Sequence, residues 1–162
     1  MNKAIKNIEA NKKQLRDINT ESPSAALTAQ IAANVAITTA GYVIPWATVI
    51  RSQAFTVSGT QITFPTDGYY AIEIPVRVNV NNLYMRCVLT IGAITVASAV
   101  VSTPAGSIQT VFTFNFMRYF RQSNVMTVTI TPQANATYIR TAEGATSESG
   151  LIFIAQLTGA IE

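Results

Sequence analysis

The stretch from Gln61 to Val80, QITFPTDGYYAIEIPVRVNV, constrains the fold of this chain more than any other. It reads as a short strand ending in Phe64, a Pro-Thr-Asp-Gly turn and a long alternating strand. On one side of the alternation fall Tyr70, Ile72, Ile74, Val76, Val78 and Val80; on the other fall Tyr69, Ala71, Glu73, Pro75, Arg77 and Asn79. Strand side chains point to opposite faces in turn, so the first set can be buried while the second meets a rim or a partner. Pro65 presets the backbone before the turn, and Gly68 tolerates a positive φ within it. A strand this long needs neighbours on both sides, which predicts a β-sheet domain built around it.

The residues on either side carry the same signature. Val43 to Ile50, with Pro45 and Trp46, suits an edge strand. Phe55 and Val57 precede a Ser58-Gly59 turn and then Ile62 and Phe64. Asn79, Asn81 and Asn82 mark a reversal into the alternation of Leu83 to Ile91, and Gly92 leads to a strand over Ile94 to Val101. After a loop at Ser102–Ser107, Phe112, Phe114, Phe116, Arg118 and Phe120 alternate against Val111, Thr113, Asn115, Met117 and Tyr119. Arg121 to Asn124 turns the chain into Met126, Val128 and Ile130. A strand near Tyr138, a polar loop at Glu143–Gly150 and a last strand over Leu151 to Leu157 follow. Short strands with turns roughly every 8 to 12 residues indicate an all-β sandwich or jelly roll.

Charge is distributed unevenly. Every lysine lies between Lys3 and Lys13, with Arg16 just beyond, whereas from Pro23 onward six arginines face five acids. Most of the net charge of +3 therefore belongs to the N-terminal segment, and the rest of the chain is nearly neutral. There Ile5, Ile8, Leu15 and Ile18 fall on one side of a helical wheel, although Lys12 breaks the stripe. Ser22-Pro23 offers helix-start chemistry. Ala25 to Ile37, with Leu27, Ile31 and Val35 spaced by four, reads as a slim helix or a tail packed closely on another surface. Residues 1–41 are accordingly expected to form a partly helical or extended anchor, and 42–162 the head. The anchoring candidates are Lys3, Ile5, Lys6, Ile8, Lys12, Lys13, Leu15, Arg16 and Ile18. Glu9, Asp17 and Glu21 dilute the basic field, which argues against a grip on nucleic acid.

Only 12% of the residues are charged, against about 25% in an ordinary soluble domain. Low charge with 49% hydrophobic content predicts a surface partly covered by other subunits. The chain has no histidine and a single cysteine, Cys87, in phase with Leu83, Met85, Leu89 and Ile91; a packed core thiol is expected, not a disulfide or a metal ligand. No nucleophile elbow, phosphate loop, dinucleotide fingerprint or metal-ligand spacing occurs, so no catalytic residue, cofactor or metal is expected. The uncharged span Ser22–Ile50 is interrupted by polar residues, Gly41 and Pro45, which argues against a membrane span; the start of the chain lacks the apolar region of a signal peptide. The cluster at Arg118, Tyr119, Phe120 and Arg121 has two uses: stacking on bases or sugars, or packing against the same residues of neighbouring subunits. Packing is the reading adopted, because alternating Phe is mainly a core signal.

With those residues placed, the β part resembles the tumour-necrosis-factor-like superfamily, particularly the globular heads of the complement first component. The likeness rests on the Phe-containing strand before the turn and on Gly68-x-Tyr70-x-Ile72 opening the long strand. The pair of aliphatic strands that follows, the Phe112–Met117 strand leading into Val125–Ile130, and Ser149-Gly150-Leu151-Ile152-Phe153 complete it. It covers about residues 50–158. The resemblance implies a ten-strand jelly roll assembled as a homotrimer, without enzymatic activity. Similar heads occur on fibres and spikes of bacterial viruses, tethered to the capsid by short N-terminal segments. The expected protein is thus a head-fibre, spike or decoration protein of a virion, bound to the major capsid protein or another virion protein through residues 1–41. Phe112, Phe114, Phe116, Arg118, Tyr119 and Phe120 are the expected trimer interface, and a host cell-surface glycan is a candidate ligand of the distal loops. The alternative is a soluble trimeric head that binds carbohydrate or protein. The chain departs from relatives at Ser123-Asn124, where they often place Gly-Asp, and with only Asp17 and Asp67 it cannot carry over the calcium site of some of them.

Overall fold

A computed structural model describes residues 25–79, 84–102, 110–140 and 149–157. In chain order the strands are β1 (Ala26–Gln30), β2 (Val35–Ile37), β3 (Tyr42–Val43), β4 (Thr48–Gln53), β5 (Thr56–Ser58), β6 (Gln61–Thr63) and β7 (Gly68–Val78). They continue with β8 (Tyr84–Ile91), β9 (Ile94–Ser102), β10 (Thr110–Phe120), β11 (Val125–Pro132), β12 (Ala136–Tyr138) and β13 (Leu151–Gln156). They form two sheets. One runs β2-β12-β7-β13-β1-β4, with β10 on the other side of β7; the second runs β5-β6-β11-β8-β9, with β3 also pairing β11. The architecture is the expected all-β jelly-roll sandwich, and every pairing is antiparallel.

The alternation of β7 resolves as read from Tyr69 to Ile74; beyond it Pro75 is buried and Arg77 half-buried instead of facing a rim, and Val80 lies outside the described residues. Tyr70, Ile72, Ile74, Val76 and Val78 are buried between the sheets, facing a core that includes Met85, Cys87 and Leu89 of β8 and Met126, Val128 and Ile130 of β11. At the turn end of β7 the core is aromatic. Phe64 stacks on Phe120 at 3.9 Å, and Phe55 and Tyr70 meet Phe64 edge-on at 5.4 and 4.8 Å. The Tyr70 hydroxyl donates to the Thr66 carbonyl at 2.9 Å, so the one polar atom of that cluster is satisfied where it would otherwise cost free energy. Deeper in the core, Tyr138 donates to the Pro75 carbonyl at 3.1 Å. Burial, with Cys87 nearby, raises the Tyr138 phenol above its ordinary range, so both groups stay protonated.

Pro75 sits mid-strand in β7, where a missing N–H would ordinarily break a ladder. Here Arg77 N donates to Ser149 Oγ at 2.7 Å and Arg77 O accepts from Ile139 N at 2.9 Å, so this phase of the strand aims its backbone at the β13 and β12 side. Along that edge β13 pairs only as far as Glu73 and β12 begins at Val78. Pro75 falls in the gap between them, and its lost donor removes no ladder bond.

The Ala25–Ile37 segment forms no helix. Its residues 26–30 are β1, inserted between β13 and β4, with Leu27, Ala29 and Ile31 fully buried. Four-residue spacing mimicked a helical stripe, but the odd-numbered members Leu27, Ala29 and Ile31 also satisfy a period of two, and the space between two strands decided the outcome. Residues 35–37 pair with β12. The expected boundary after residue 41 therefore cuts through the sandwich, and the part of the anchor left outside the described residues is 1–24. Ala25 O accepts from Gln156 N at 2.9 Å, and Gln156 pairs with Tyr70, so residue 25 lies near the Gly68 end of the sheet. Asn79, Thr110, Arg140 and Ser149, which flank segments 80–83, 103–109 and 141–148, gather at the Arg77–Asn79 end instead.

Candidate interaction surface

The second phase of β7 defines the surface of interest. Tyr69, Ala71 and Glu73 project from the side of the sheet away from the core, and neighbouring strands continue three rows across it. Tyr119, Tyr69 and Leu157 form the first row, the two tyrosine rings meeting edge-on at 5.3 Å. Met117, Ala71, Ala155, Ala26 and Gln53 form the second. Asn115, Glu73, Phe153, Thr28 and Arg51 form the third.

Three alanines in adjacent strands leave the middle row low, and the larger side chains around them stand up as walls. The result is an open trough of ≈ 510 Å³ lined by Ala26, Thr28, Arg51, Ala71, Glu73 and Met117, among others. Its flank is conspicuously apolar for a surface: Met117 is 64% exposed, Tyr119 50%, Tyr69 44% and Leu157 41%. Isolated exposed hydrophobics need no explanation, but a contiguous group across three strands marks an interaction site. Asp67 buttresses one end. Its Oδ1 accepts from Gln122 N at 2.7 Å and its Oδ2 from the Tyr119 hydroxyl at 3.5 Å.

The expected interface residues do not act as one set. Phe114 and Phe120 are 1% exposed and belong to this chain's own core, so they are withdrawn from any interface. Phe116 is half-buried against the core, and Phe112 pairs with Val76 in β10, its side chain lying outside the described residues. Arg118 is exposed on the same phase as those phenylalanines. Only Tyr119 stands on the apolar outer face. Phe114, Phe116 and Phe120 lie on the inward phase of β10, and the outward phase is Asn115, Met117 and Tyr119. Met117 and Phe153 went unmarked as surface residues, although the sequence reading had already assigned Tyr69, Ala71 and Glu73 to a rim or partner. The anchoring candidates Lys3, Ile5, Lys6, Ile8, Lys12, Lys13, Leu15, Arg16 and Ile18 lie outside the described residues, as do most of the loops Ser102–Ser107 and Glu143–Gly150.

Cys87 is buried and unpaired, and its thiol is pushed up to about 12 by burial, the opposite of what a nucleophile or metal ligand needs. Among the described residues no group of three or more His, Cys, Asp or Glu could hold a metal ion, and no helix is long and apolar enough to cross a membrane.

No protein-family model matches the chain, and no curated protein matches it in sequence. Solved structures do. Murine APRIL superposes with a TM-score of 0.59 at 13% identity, covering 82% of this chain and 98% of that one. The globular domain of zebrafish complement 1qA protein gives 0.54 at 9%, covering 84% and 98%. The vertex protein P5 of the bacteriophage PRD1 gives 0.54 at 16%, covering 85% and 99%. At these identities the likeness is one of fold, and it is the one anticipated from Gly68-x-Tyr70-x-Ile72 and its companions: the chain has the jelly-roll fold of the tumour-necrosis-factor-like and complement-head proteins.

Proposed function

We propose that this chain is a structural protein of a bacterial virus, a homotrimeric head fibre or decoration protein held to the capsid by its N-terminal segments. The observation that carries the trimer is the open apolar face of Tyr69, Met117, Tyr119, Ala71 and Phe153, a surface left in water unless another subunit covers it. Three copies around one axis each offer that face to a neighbour, a heterologous contact that closes into a ring. Likeness to the PRD1 vertex protein over nearly its whole length supports the virion setting. The exit of residue 25 at one end, with the flanks of three further segments at the other, supports a division between an attached end and an outer end.

In this reading attachment is multivalent. Three basic arms of modest affinity, brought together by the head, raise overall avidity by ~10²–10⁴ when all can engage. The arm is residues 1–24, since the remainder of the expected 1–41 segment lies within the sheets. The outer end then contacts the cell surface, with a glycan as the candidate ligand.

Light scattering of the full chain should give three times the 17.4 kDa chain mass. The chain without residues 1–24 should keep that mass and fail to bind particles that lack this protein. A monomeric full chain would sink the trimer. A truncated trimer that still decorates particles would sink the arm and leave a free carbohydrate- or protein-binding head as the better reading.

A further inference from the structure

We propose that Glu73 of one subunit forms an ion pair with Arg51 of the next, across the trough, and that this pair selects the partner surface; the inference rests on the trimer reading. Glu73 lies in the middle of the outer face, on the central strand β7, with Ala71, Phe153 and Asn115 around it. Arg51 lies in the same cross-strand row on β4, at the sheet edge, and lines the same trough. Three strand steps separate them, about 14 Å at the ~4.8 Å spacing of adjacent strands, which only two fully extended side chains could bridge. Neither side chain takes part in a hydrogen bond or ion pair among the described residues; only their backbones are bonded, in the strand ladders.

A second copy seated on the apolar face would take Glu73 out of water. Burying a carboxylate without a partner is costly, so the arriving surface must supply a cation. The described cations narrow to one. Arg77, on the same phase of β7, is half-buried and already engaged within the chain. Arg118 leaves β10 on the opposite phase, Arg86 lies on β8 in the other sheet, and Arg121 and Arg140 lie in the segments beyond β10 and β12. Arg51 is exposed on an edge strand whose six residues are all exposed, where a rotated neighbour can reach it. The same copy of the chain thus carries both halves of the pair at different places on one face. A heterologous interface joins two such different patches.

Charge reversal tests this in the full chain. Glu73→Arg and Arg51→Glu should each raise the concentration at which the assembly dissociates by ~30-fold or more, as truncating one member of a buried interfacial pair does. The double variant E73R/R51E should return it to near the wild-type value. Both sites are exposed in the single subunit, so the far-ultraviolet circular-dichroism spectra of the dissociated variants should match the wild type. Glu73→Gln, which keeps the shape, should weaken assembly in the same direction. Single variants that assemble like the wild type, or a double variant no better than the singles, would overturn the pair while leaving the trimer standing. A wild-type chain that is monomeric would overturn both.

Discussion

Gly150 has φ +76, and a Cβ placed there would stand 2.9 Å from Ile31 Cγ1 and 3.2 Å from the Arg140 backbone. Left-handed backbone costs a side-chain-bearing residue about 1–2 kcal/mol, and overpacking adds about 1–3. Gly150→Ala should therefore lose roughly 2–5 kcal/mol, read as a lower urea midpoint. The opposite experiment suits Ser123, which holds φ +64 in the turn before β11. Ser123→Gly should remove that left-handed cost and raise the urea midpoint. At Cys87 the prediction concerns pH. Its folded pKa of about 12 lies above that of the unfolded thiol, so the folded state keeps a proton that the unfolded state releases. The contribution is whole below about pH 8.5–9 and is lost as pH rises towards 12, by about 1.4 kcal/mol per unit. Cys87→Ala should flatten the alkaline fall in stability, and iodoacetamide should modify the native protein only after denaturant is added. The buried Tyr138 adds to the alkaline loss in the same direction.

At the scale of elements, β1 is where sequence and structure part. Leu27 is 1% exposed in a strand bonded on both edges, so Leu27→Ala should cost about 2–5 kcal/mol, as a core truncation does. Were residues 25–37 a tail outside the head, the same change would leave thermal unfolding of the head where it was. By the same logic, removal of residues 1–40 should leave a chain that fails to fold, because β13 and β4 would both lose their shared partner, whereas removal of 1–24 should leave the melting temperature close to that of the full chain. Strands β7, β8, β10 and β11 lie close to their expected places because each alternates over eight residues or more, and a one-residue slip would bury polar side chains. The short strands β2 and β3 carry too few residues for any period to register, while β12 falls at the strand expected near Tyr138.

For the whole molecule, the decisive quantity is what covers the outer face of the larger sheet. Met117→Lys places a charge on the most exposed hydrophobic side chain of that face, and on the proposed trimer it should shift the full chain from the trimeric to the monomeric mass in sedimentation velocity, with an unchanged far-ultraviolet spectrum. The low charge content finds its place here too. The sandwich puts Ala71, Ala155, Phe153 and Met117, from three strands far apart in sequence, onto one surface where a lone domain would carry lysines and glutamates.

Local order in the chain was enough to determine the all-β class, the central strand with its two faces near the turn, the buried thiol and the Pro-Thr-Asp-Gly turn, because a period of two is written in neighbouring residues and a sandwich must bury one phase of it. Alternation cannot say which strands become neighbours. Only the tertiary structure put β1 between β13 and β4, turned Phe114 and Phe120 inward, lowered a floor of three alanines, and set Glu73 and Arg51 in one row. Each of those depends on pairings between residues tens of positions apart, and no local pattern encodes them.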